Sequence, residues 1–126
     1  MATYAKYKTL GKSSEPSPNQ YTNIPQISSA EHKLELIQTN QIVVVLISAD
    51  WCGPCKMIKP KYGDMVAQHT IPGACILVIE DVDKKISDVN GVPAIQIFFR
   101  GKMVENTVGP NLDEVNQQIL RYKSGL

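Results

Sequence analysis

The stretch Ile42-Val43-Val44-Val45-Leu46-Ile47-Ser48-Ala49-Asp50-Trp51-Cys52-Gly53-Pro54-Cys55-Lys56 decides the fold. Its first six residues are aliphatic, without polar alternation, as in a strand covered on both faces in the middle of a parallel sheet. Beyond it, Ile58, Tyr62, Met65 and Val66 recur at helical spacing to about His69. The two cysteines therefore fall where a buried strand turns into a helix. Cys52 is expected at the N-cap, with Cys55 in the same first turn. A sulfur at the N-cap accepts backbone N–H groups that have no partner in the helix, and the helix dipole favours negative charge there. That placement favours the thiolate of Cys52, the reactive form of the side chain. Cys55, on the inner side of the helix, is shielded and acts as the resolving thiol. Pro54 suits a first helical turn, where its missing N–H costs nothing.

Working outward, Tyr21–Ile27 reads as a short strand, restricted to an edge by Pro25. Ser28-x-x-Glu31 is a capping-box pattern opening a helix, with Ala30, Leu34 and Ile37 expected on its inner face. Ile71-Pro72-Gly73 ends the helix that follows the cysteines, and Cys75–Ile79 is a second buried strand. Between Asp81 and Gly91 there is room for little more than one helical turn, expected around Ile86–Val89. Ala94–Phe99 and Lys102–Val108 flank Gly101 as a hairpin. Asn111-x-x-Glu114 caps a last helix with Leu112, Val115, Ile119 and Tyr122 inward. This order gives an α/β fold, a central mixed β-sheet sandwiched between helices.

Composition narrows the function. The 126 residues amount to one domain, with 13 Lys and Arg against 12 Asp and Glu. That balance leaves no basic stripe, so nucleic acid is not an expected partner. The longest apolar run is far too short for a membrane span, so no membrane partner is expected either. Residues 1–20 carry Lys6, Lys8 and Lys12 against Glu15, followed by Gly11-Lys12-Ser13-Ser14-Glu15-Pro16-Ser17-Pro18, and read as a flexible N-terminal tail; 21–126 form the folded unit. The first residues lack the apolar core of a secretory signal, which implies a cytoplasmic protein. Three cysteines are too few, and an odd number, for a disulfide-stapled scaffold. A zinc site would need a second ligand pair, whereas His32, His69 and Cys75 are scattered, so no metal is expected. Cys75, opening a buried strand, reads as a small core residue.

Ala49-Asp50-Trp51-Cys52-Gly53-Pro54-Cys55-Lys56 resembles the active-site signature of the thioredoxin family, and the resemblance extends over about residues 21–126. Pro60 matches the proline within the family's active-site helix, and Gly91-Val92-Pro93 the loop whose proline is cis. Phe98-Phe99-Arg100-Gly101-Lys102 is similar to its hairpin, and Val108-Gly109 to the substrate-facing glycine beyond. The resemblance implies a thioredoxin fold and a protein disulfide reductase that cycles a Cys52–Cys55 dithiol and disulfide without cofactor. It implies a monomer, with disulfide-containing proteins as substrates and a thioredoxin reductase or another thiol reductant as electron source. Trp51, Gly53, Pro54, Val92, Pro93 and Gly109 then form a shallow apolar substrate-binding surface, in which the Val92 backbone pairs with an extended substrate segment.

Three departures qualify the resemblance. The family usually has a buried Asp six residues before its first catalytic cysteine, and a lysine partner on the next strand. Here those positions are Leu46 and Ile79, so both members of the charged pair are aliphatic. Replacing both avoids stranding one buried charge, but it leaves Cys55 without an internal base. The segment from Asp83 to Pro93 is shorter than usual, which trims the third helix and can widen the groove beside Val92. Ser48 stands where a large aromatic is common. A protein of this kind with weak redox turnover could instead serve as a binding adaptor.

Overall fold

The computed structural model describes residues 24–126; the tail expected at 1–20 lies outside them. The elements are α1 (Ala30–Thr39), β1 (Ile42–Ser48), α2 (Gly53–His69), β2 (Cys75–Asp81), a single 3-10 turn (Val82–Lys84), β3 (Ala94–Phe99), β4 (Lys102–Val108) and α3 (Leu112–Lys123). The sheet order is β2-β1-β3-β4. β1 and β2 are parallel, β3 is antiparallel to β1, and β4 is antiparallel to β3. This is the mixed sheet expected from the sequence, and the continuous apolar run Ile42–Ile47 is its fully buried inner strand.

Alternate residues of β1 serve two cores, because successive side chains of a strand point to opposite faces. Val44 and Leu46 join Leu77, Ile79, Ile95 and Ile97 against Ile58, Tyr62 and Met65 of α2 and Leu112, Val115 and Ile119 of α3. Val43, Val45 and Ile47 join Val78 and Ala94 against Ile37 of α1 and Ile27. Cys75 is fully buried in the first core, and burial pushes its thiol up from the ordinary cysteine value. Within the same core the Tyr62 hydroxyl donates to the Val78 carbonyl at 2.8 Å, with the Val44 carbonyl 3.1 Å away. Tyr62→Phe removes this buried bond and is expected to lower unfolding free energy by about 1 kcal/mol. Urea melts at an unchanged m-value measure it; a variant as stable as the parent would show that the bond contributes nothing net.

Several local expectations are corrected. In the described part of Tyr21–Ile27 there is no strand, only a bridge from Gln26 to Ile79, in which the Ile27 N–H donates to the Ile79 carbonyl and the Ile79 N–H to the Pro25 carbonyl. It lies beside β2, at the edge of the sheet, where Pro25 needs to donate nothing. The cap of α1 is Ser29, not Ser28: its hydroxyl accepts from the His32 N–H at 3.0 Å, while the Ser28 N–H is taken by His32 Nδ1. The inner face of α1 is correspondingly rotated. Ala30 and Leu34 are exposed, and the buried residues are Lys33 and Ile37.

Lys33 is held by three acceptors. Its ammonium donates to Glu80 Oε1 at 2.7 Å, to Gln96 Oε1 at 2.8 Å and to the Ser87 hydroxyl. It also lies 5.5 Å from the centre of the Phe98 ring. Glu80 is fully buried on β2, opposite Ile47 of β1. A charge inside is tolerated when it is paired and its protons are all used, which this arrangement achieves for Lys33. Finally, the short turn of the middle segment is Val82–Lys84, not Ile86–Val89. Asp81 starts it, its carboxylate accepting the Asp83 N–H at 2.9 Å. Lys85 ends it in the left-handed region at φ 58°.

Candidate active site

β1 delivers Ala49 to the end of the sheet, and the chain turns once before α2 begins. The Cys52 N–H donates to the Ala49 carbonyl and the Lys56 N–H to the Cys52 carbonyl, each at 3.2 Å. Cys52 is the N-cap of α2, and its sulfur accepts the Cys55 N–H at 3.2 Å. This is the helix-terminal position expected from the sequence, where the free N–H groups and the dipole stabilise a thiolate. Cys52 and Cys55 are joined as a disulfide with Cα atoms 5.3 Å apart. Cys52 retains 5% exposure and Cys55 none. α2 contains Pro54 in its first turn and runs through Pro60 to His69.

Of the other singled-out residues, Val92 packs against this pair. Val82 packs there too, and Ala49 belongs to the same cluster. The Val92-Pro93 peptide is cis, and Pro93 is buried at the entry to β3. The Pro93 carbonyl accepts the Gly109 N–H at 2.8 Å, which ties the end of β4 to the loop. Gly109 itself has φ 111°, a conformation open to glycine and strained for other residues. Gly53 and Pro54 are exposed on the first turn of α2, and Trp51 is 68% exposed. Trp51, Val82, Val89 and Val92, with Asp83 and Lys85, line a groove.

Two contributors escaped the sequence reading. Asp83 accepts the Trp51 indole N–H at 3.1 Å and so orients the exposed ring. Val82 covers the disulfide from the side. Register holds the signal for both: β1 and β2 are parallel and end level, Ser48 opposite Asp81, so the residues after each strand must meet. Leu46 and Ile79 are paired across β1 and β2 in the apolar core. Of the described residues, no group of three or more His, Cys, Asp or Glu is placed to hold a metal ion, and no helix is long and apolar enough to cross a membrane.

Comparison with known proteins agrees with this geometry. The thioredoxin family model matches residues 23–121. Thioredoxin H8 of Arabidopsis thaliana is 31% identical over 116 residues, covering 88% of this chain and 75% of the relative. Thioredoxin-1 of Saccharomyces cerevisiae is 32% identical over 99 residues, covering 76% of this chain and 95% of that one. Among solved structures, the oxidised form of mitochondrial thioredoxin 3 from Saccharomyces cerevisiae superposes with a TM-score of 0.72 at 26% identity, covering 81% of this chain and 98% of the other.

Proposed function

The chain belongs to the thioredoxin family and is a thiol–disulfide oxidoreductase; from that premise we propose that it reduces disulfide bonds in proteins, with Cys52 as nucleophile and Cys55 as resolving thiol. The observation that carries the reading is the pairing of Cys52, which keeps slight exposure at a helix N-cap, with a fully buried Cys55 in the same turn. The Cys52 thiolate attacks one sulfur of the substrate disulfide. A Cys52–substrate bond forms, and the other substrate sulfur leaves as a thiolate that takes up a proton. Cys55, having lost its proton, then attacks Cys52 Sγ. The Cys52–Cys55 disulfide forms, and the second substrate thiolate is expelled. Two electrons pass to the substrate, and a dithiol or a thioredoxin reductase returns them. Trp51, Gly53, Pro54, Val92, Pro93 and Gly109 form the surface on which the substrate segment lies, and the monomer works in a cytoplasm that keeps such a reductant available.

The aliphatic pair Leu46 and Ile79 sets the pH dependence. Cys55 must give up its proton in an apolar enclosure with no carboxylate below it, and such an environment disfavours the charged thiolate. Resolution of the mixed disulfide is therefore expected to be slow at pH 6 and to gain about tenfold for each pH unit while the thiol remains largely protonated. The test is reduction of insulin by dithiothreitol with catalytic amounts of the protein, from pH 6 to 9. Acceleration supports the reductase reading, and acceleration that climbs more steeply with pH than the rate of dithiothreitol alone supports the role given to Leu46 and Ile79. A flat profile removes the role given to Leu46 and Ile79. No acceleration at any pH removes the reductase reading and leaves the adaptor.

A further inference from the structure

The segment from Ile86 to Val92 forms one wall of the groove beside the cysteines, contributing Val89, Asn90, Gly91 and Val92 to its lining. It has no helix or strand of its own. Of the described residues, none from Ile86 to Val92 takes part in a backbone–backbone hydrogen bond outside such elements. Among the described residues, its one side-chain hydrogen bond to the rest of the fold is the bond from Lys33 to the Ser87 hydroxyl. Otherwise it is held by half-buried Ile86, Val89 and Val92 packing on the α1 side of the sheet. Apolar contacts are non-directional, so they hold the segment down without fixing where along the sheet it sits. A hydrogen bond from a charged donor is directional and stronger than a neutral one.

We propose that Lys33 and Ser87 are positioning residues for substrate: the buried Lys33–Glu80 pair fastens the groove wall through Ser87 and thereby sets the width in which a protein substrate lies. The inference rests on the disulfide-reductase reading. Glu80 and Gln96 fix the Lys33 ammonium from β2 and β3, so its third proton points at a set place beneath the wall. Lys33 cannot follow the wall if the wall shifts, because its other two protons bond rigid strands. The wall is thus referenced to β2 and β3, which flank the strand that leads into the cysteine turn, and β3 follows directly on Pro93. Lys33 and Ser87 touch neither substrate nor sulfur.

The test compares Ser87→Ala, which removes the link and leaves the ion pair, with Ser87→Thr, which keeps a hydroxyl. KM for insulin is expected to rise about threefold to tenfold in Ser87→Ala, with kcat little changed, because the competent groove is populated for a smaller fraction of the time. Ser87→Thr restores the parental KM. Reaction of the reduced protein with the small disulfide 5,5′-dithiobis(2-nitrobenzoate), which needs no groove, is expected to be unchanged. Backbone 15N order parameters of Asp88–Val92 in the oxidised protein are expected to fall in Ser87→Ala while those of β1 stay unchanged. An insulin KM within about twofold of the parent's, or order parameters unchanged in this segment, overturns the proposal. If the parent does not reduce insulin, the reductase reading has failed, and the order parameters still decide whether Ser87 fastens the wall.

Discussion

With Cys52 replaced by serine, insulin reduction falls to the rate of dithiothreitol alone, a loss of about two orders of magnitude or more in the catalysed part. A hydroxyl in place of the sulfur keeps the helix cap, since serine is among the preferred N-cap residues, so the fold survives while the nucleophile does not. Cys55→Ser behaves differently. Cys52 still attacks, but nothing breaks the Cys52–substrate bond, and one substrate chain per protein remains attached until a reductant is added. Incubation with insulin without dithiothreitol, followed by non-reducing electrophoresis and intact mass, distinguishes the two variants. A covalent adduct in Cys52→Ser but not in Cys55→Ser would reverse the assignment of nucleophile and resolving thiol. The burial contrast argues against that reversal, because Cys55 has no exposed surface through which a protein disulfide could reach it.

Lys33→Met is expected to be the most damaging single change away from the cysteines. It leaves the Glu80 carboxylate fully buried, with Oε1 losing its partner and Oε2 already without one. Breaking one side of a buried ion pair typically costs about 3–5 kcal/mol. Lys33→Met/Glu80→Leu, which replaces both charges with apolar side chains, is expected to recover most or all of that loss. Urea unfolding of both variants beside the parent measures it. A single variant that loses less than about 1 kcal/mol at neutral pH would show that water reaches Glu80 and that the pair is not a dry one.

What the sequence revealed and what it hid follow from the range over which each signal acts. The cysteine turn, the strands of the sheet, the hairpin at Arg100-Gly101 and the last helix are local patterns. Their periodicity and caps are complete within a dozen residues, and each sits where it was expected. The inner face of α1 was misread because Lys33 looks outward-facing to any rule that sorts residues by polarity. Only its partner, 47 residues away on β2, makes its burial tolerable, and no spacing announces that partner. Ser28 and Ser29 are equivalent as capping letters, and His32 decides between them by engaging both. In the middle segment, Asp81 captures the Asp83 N–H and starts the turn early, leaving Ile86–Val89 to pack without helix or strand.

The sheet has two rims with different fates. At β2 the rim is partly occupied by the Gln26 bridge. At β4 no described strand pairs with it, and it carries exposed Met103, Val104 and Val108, features that invite strand-to-strand stacking of one molecule on another. The register of β4 against β3 slips between Ile97 and Phe98, whose partners are Glu105 and Met103, so Val104 is an extra residue. A bulge of this kind bends and twists the strand and breaks the even row of outward N–H and C=O groups. A second edge could match β4 on one side of Val104 only. The irregularity thus acts as a guard against polymerisation, set into the most exposed strand of the fold.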